Sequence, residues 1–201
     1  MSYDMKKDVI SRDLRGALFR GRRRAGPPAL VRRRALAADQ AIVSCAGRVH
    51  FVAIGSGGIR ALKREGDQAT PRARVRPLAC LRRRPRPSPL PWRVARRDDG
   101  WCDDPASGRY NTAVRLPSPW SHENLIRQDA IYDSIVVTDH NRSPRVRGAG
   151  SAIFIHVARP GLAPTLGCIA YPAADWSHDI VPLGDYLIGT DPRPVRPKRT
   201  R

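Results

Sequence analysis

Ser151-Ala152-Ile153-Phe154-Ile155-His156-Val157-Ala158-Arg159-Pro160-Gly161-Leu162-Ala163-Pro164-Thr165-Leu166-Gly167-Cys168-Ile169-Ala170 is the stretch from which the rest of the 201-residue chain is read. It opens as an apolar, β-rich run over 151–157, breaks at Pro160-Gly161 and Pro164, and turns apolar again at Ile169. The chain is therefore expected to fold back and carry the His156 imidazole within reach of the Cys168 thiol. A base so placed generates a thiolate nucleophile. Gly167 permits close backbone approach, and the Gly167 and Cys168 N–H groups are candidate donors to a developing oxyanion. Residue types alone leave a second reading open, a core histidine beside a buried thiol.

Working outward, residues 131–138 form another strand pattern joined to 151–157 by a Gly/Pro/Arg connection. Residues 41–45 and 48–54 flank Ala46-Gly47 and read as a hairpin. Helical periodicity is scarce, and short helices fit only near 121–127 and 172–179. The fold class expected is mainly β, sheet packed on sheet, with order beginning near Ala35. Gly55-Ser56-Gly57-Gly58 reads as turn glycines, because no GK[ST] and no GxGxxG leads from a strand into a helix.

The formal charge is +19, from 37 Lys plus Arg against 18 Asp plus Glu. Residues 1–37 hold 11 basic and 3 acidic groups and residues 60–97 hold 13 and 2, so the whole excess lies in two blocks. The first predicts a flexible basic arm over 1–35. The second contains an Arg/Pro-rich loop, 82–97, whose alternating prolines favour solvated polyproline II. A basic, proline-rich tail occupies 191–201. Stacking aromatics are not interleaved with the arginines, which favours solvated charge over phosphate binding. No apolar run approaches the ~20 residues of a membrane span, and no secretory signal follows Lys6-Lys7.

Cys45, Cys80, Cys102 and Cys168 contain no CxxC pair, so no zinc site and no metal is expected. Cys45 is expected to be a buried small hydrophobe. Asp103 and Asp104 read as loop polarity, and Trp101, Trp120 and Tyr132 as core aromatics or groove walls.

Ile155-His156 followed by Thr165-Leu166-Gly167-Cys168-Ile169 resembles the signature of the YkuD-type L,D-transpeptidases. Lys63-Arg64-Glu65-Gly66-Asp67, Ala69-Thr70-Pro71, Arg97-Asp98-Asp99-Gly100-Trp101-Cys102-Asp103-Asp104-Pro105, Tyr110-Asn111, Arg115-Leu116-Pro117, Tyr132-Asp133 and His140-Asn141 continue the likeness in order over roughly 40–175. The resemblance implies a YkuD-like β-sandwich over 36–190 that crosslinks peptidoglycan stem peptides without a cofactor. The resemblance also implies carbapenem-type inhibitors and a setting in the cell envelope or periplasm. Cys168 would be the nucleophile and His156 the proton donor and acceptor. Gly167, Thr165 and Val157 would supply the oxyanion donors or shape the site, with the carbonyl near Val157 orienting the imidazole. Arg159, His140 and Asn141 are candidate substrate contacts. With water as acceptor the same site is an L,D-carboxypeptidase.

Departures from the family pattern are Leu166 before Gly-Cys, Val157 after the histidine, and Ala73 where a turn glycine is usual. A left-handed Ala73 would be strained. Two rivals remain: a nucleic-acid-binding protein using the basic blocks, and a degenerate member that binds cell wall without turnover.

Overall fold

The computed structural model describes residues 26–190. The strands are β1 (Ala29–Arg34), β2 (Ala37–Cys45), β3 (Arg48–Ala53), β4 (Ile59–Arg60), β5 (Thr70–Pro71), β6 (Arg74–Val75), β7 (Pro77–Arg82), β8 (Trp92–Val94), β9 (Asp99–Cys102), β10 (Thr112–Arg115), β11 (His122–Asn124), β12 (Ser134–Thr138), β13 (Phe154–Val157), β14 (Ile169–Tyr171) and β15 (Tyr186–Ile188). One short helix, α1 (Ala173–Ser177), follows β14. The fold is mainly β, as the sequence predicts.

Ten strands form one mixed sheet in the order β6-β15-β1-β2-β3-β14-β13-β12-β7-β8. Alternation along each strand gives it two apolar faces. Val31, Val43, Val52, Cys80, Val136, Ile155 and Ile169 join one core although they come from both halves of the strand order, so the sheet curls until this face closes on itself. Leu81, Ile135, Val137 and Phe154, one residue out of phase, point to the opposite face. The small sheet β10-β9-β11 covers that second face with Trp101. The Trp101 and Phe154 rings meet edge-on, centroids 5.1 Å apart, a contact contributing about 1 kcal/mol beyond area burial.

Several local expectations change. Residues 29–34 are a strand and not the end of a flexible arm: Ala29 and Val31 are buried, and the Arg32-Arg33-Arg34 run conceals their alternation. Residues 1–25 of the expected arm and 191–201 lie outside the described residues. Residues 122–124 are extended and not helical, since their backbone pairs with β9. Ala73 is not among the positive-φ residues, so the strain expected there is absent. Cys45 is only partly buried, its thiol 3.6 Å from the Pro27 carbonyl.

The basic block is not simply solvated either. Arg74 pairs with Asp185, Arg83 with Asp133, Arg86 with Asp179 and Arg93 with Asp99, so carboxylates of other segments neutralise part of it.

Candidate active site

β13 and β14 run parallel with Ile155 opposite Ile169 and His156 opposite Ala170. Cys168 immediately precedes β14 and therefore lies level with Phe154. The Phe154 N–H donates to Cys168 Sγ at 3.3 Å, and the thiol donates to the Ala152 carbonyl at 3.2 Å. Phe154, His156 and Cys168 share a phase, so imidazole and thiol project from one face of adjacent strands, about 7 Å apart along them. The fold-back expected of residues 157–168 is present. The thiol's hydrogen-bond partners are the two backbone groups; the imidazole is not one of them.

The turn before Cys168 is clamped by hydroxyls. Thr165 Oγ1 donates to the Cys168 carbonyl at 2.7 Å and accepts the Gly167 N–H at 3.1 Å. The Gly167 N–H, expected to face an oxyanion, is thus given to Thr165. Gly167 sits at φ +138°, and a Cβ there would come 2.9 Å from the Ala69 carbonyl oxygen, so only glycine passes. Thr70 Oγ1 bonds the Gly167 carbonyl at 2.9 Å and accepts the Gly55 N–H at 2.9 Å, which ties the turn to the 55–58 loop.

His156 is 5 % exposed, and its Nδ1 lies 2.8 Å from the Val157 carbonyl oxygen. That oxygen only accepts, so Nδ1 carries the proton and Nε2 is the ring's basic lone pair. Burial pushes the imidazole pKa down to about 4, with Arg159 and Arg127 adding to the shift against the Val157 bond. Burial pushes the Cys168 thiol up to about 12, and the Glu123 carboxylate raises it further against the Phe154 N–H and Lys63. The pair at rest is a neutral thiol and a neutral imidazole.

Tyr132 borders both groups. Its ring meets His156 edge-on at 5.3 Å, and its hydroxyl donates to Glu123 Oε2 at 2.5 Å. Burial, foremost, raises the Glu123 carboxyl above the usual range. Sequence reasoning missed Glu123, which lies in a segment read as helical and reaches the site only through β11–β9 pairing. Nearby, Lys63 pairs with Asp67 at 2.5 Å and Tyr110 donates to Glu65 at 2.5 Å.

The other candidates divide. Arg159 is exposed just past β13. His140 is half-buried, Nε2 3.3 Å from the Ala149 carbonyl, and its pKa is lowered chiefly by burial. Asn141 is spent on its own loop, donating to the Val146 and Gly150 carbonyls and accepting the Val146 N–H. Asn111 is the structural hub: it accepts from Trp101 Nε1 and the Ala152 N–H and donates to the His140 and Asn141 carbonyls. Among the described residues no group of three or more His, Cys, Asp or Glu side chains is arranged to hold a metal ion.

No curated protein and no solved structure matches the chain. Residues 36–196 match a family model described as the L,D-transpeptidase catalytic domain, YkuD. A match over most of the chain, on a fold that seats the motif histidine and cysteine on one sheet face, means that this protein belongs to the YkuD family of L,D-transpeptidase catalytic domains.

Proposed function

We propose that the protein crosslinks peptidoglycan by cysteine acyl transfer, with Cys168 as nucleophile and His156 as the proton carrier. The observation that carries this reading is the tautomer: with Nδ1 held by Val157, the imidazole keeps Nε2 as a base on the face that also bears the thiol. Because both groups are neutral at rest, proton transfer from thiol to Nε2 accompanies attack on a donor stem-peptide carbonyl. The new S–C bond displaces the terminal D-alanine, whose nitrogen takes the proton from the imidazolium. An acceptor amine then gives its proton to His156, attacks the thioester carbonyl and releases the thiol. Water in place of the amine gives L,D-carboxypeptidase activity. Thr165 and Gly167 shape the turn, and Arg159 at the rim is a contact for a substrate carboxylate. The setting is the cell envelope or periplasm.

Intact-protein mass spectrometry after incubation with a carbapenem tests the assignment. One adduct mapping to Cys168, absent from Cys168→Ala, is expected; an adduct on the alanine variant overturns it. The nucleic-acid reading loses ground because Arg74, Arg83, Arg86 and Arg93 of the basic block are paired with carboxylates of the same chain.

A further inference from the structure

Away from the Cys168 turn, a cavity of about 630 Å³ is walled by Arg32, Arg33, Arg60 and Arg72 together with the Gly57-Gly58 backbone and Thr190. Among the described residues that line it, none is acidic. Arg33, Arg60 and Arg72 have no carboxylate partner among the described residues, unlike Arg74, Arg83, Arg86 and Arg93. The fold gathers them deliberately. Arg32 and Arg33 reach the cavity from β1, just before the register break between Arg33 and Arg34. The Arg72 N–H bonds the Arg60 carbonyl at 2.7 Å, setting those two side by side, and Arg60 Nε is anchored on the Gly57 carbonyl at 3.3 Å. Gly189, at φ +60°, leaves room for the Arg72 stem, since a Cβ there would come 3.3 Å from Arg72 Cγ.

The like charges of Arg33, Arg60 and Arg72, with no carboxylate partner among the described residues, repel one another, and a concave wall concentrates their field. Guanidinium forks match phosphate oxygens two at a time, and the volume suits a compact ligand. We propose that this cavity binds a multiply charged phosphate group, free or borne on a lipid. The site is separate from the acyl-transfer centre, yet its 55–58 wall is bonded to the catalytic turn, through the Ser56 N–H to the Thr165 carbonyl at 3.0 Å.

Titration calorimetry of the full chain with inorganic pyrophosphate tests the site without reference to catalysis. Binding is expected for the native protein and weakens about tenfold or more in Arg60→Gln/Arg72→Gln. Arg84→Gln/Arg97→Gln, which removes the same charge from exposed positions elsewhere, binds as the native protein does. Arg72→Lys, keeping the charge but not the fork, falls between, and unchanged melting curves certify folding. Phosphatidic acid vesicles that displace pyrophosphate assign the phosphate to a lipid headgroup; vesicles that do not displace it assign it to a free anion, and both outcomes support the site. Absence of pyrophosphate binding, equal losses in the two double variants, or a single-stranded oligonucleotide bound equally by native protein and Arg60→Gln/Arg72→Gln in preference to pyrophosphate overturns it.

Discussion

Tyr132 donates its phenol hydrogen to Glu123 Oε2 at 2.5 Å while its ring edge rests on the His156 imidazole, centroids 5.3 Å apart. One side chain thus connects a half-buried carboxylate to the base. Tyr132→Phe keeps the ring contact and strands the carboxylate. Acylation by a carbapenem should slow about tenfold to a hundredfold, with a shifted pH profile. An unchanged rate and profile would show the phenol to be packing only.

The neutral thiol at rest has a kinetic signature. With its pKa pushed to about 12, Cys168 should be alkylated by iodoacetamide ever faster as pH rises past 9, about tenfold per unit. Glu123→Gln removes a charge that holds the thiol up, so alkylation at a given pH should accelerate. A plateau near neutral pH would mean a thiolate already formed.

His156 links stability to acid. The unfolded imidazole takes up a proton near 6.5 and the folded one only near 4. Between those values the unfolded state binds more protons, so its stabilising contribution is complete above 6.5 and is lost as pH falls to 4. The loss is about 3 kcal/mol. Melting curves of His156→Gln should lose less over that window than those of the native chain; parallel curves would sink the linkage.

Asp99 is 1 % exposed and receives both guanidinium arms of Arg93, at 2.7 and 2.8 Å, with Arg115 at 3.0 Å. Asp99→Ala leaves a buried charge without its partner and should cost about 3–5 kcal/mol, near 10 °C in Tm. Arg86→Ala, at the rim, should cost under about 1 kcal/mol. Similar melting shifts in the two variants would contradict this ranking.

What was legible in the chain follows the range of the forces involved. The 41–45 and 48–54 hairpin and the fold-back to Cys168 rest on local alternation and turn residues, which the sequence displays. β1 was hidden because its inward Ala29 and Val31 alternate beneath an arginine run. Glu123 and the cationic cavity depend on pairings between distant segments, and no local pattern announces those. Ala73 misled for the opposite reason: a departure from the family pattern suggested a strain that the backbone there does not carry.

The pairing of β1 with β15, Ala29 opposite Tyr186, also bears on how the protein is made. The first strand of the described chain sits between β2 and the last, so on a ribosome it has one neighbour early and waits for the other until nearly the whole chain has emerged. Until then it presents an open edge, and the closed apolar core cannot be completed. Cutting the chain at residue 36, where the family match begins, would remove β1 and leave the edges of β2 and β15 that it pairs with open.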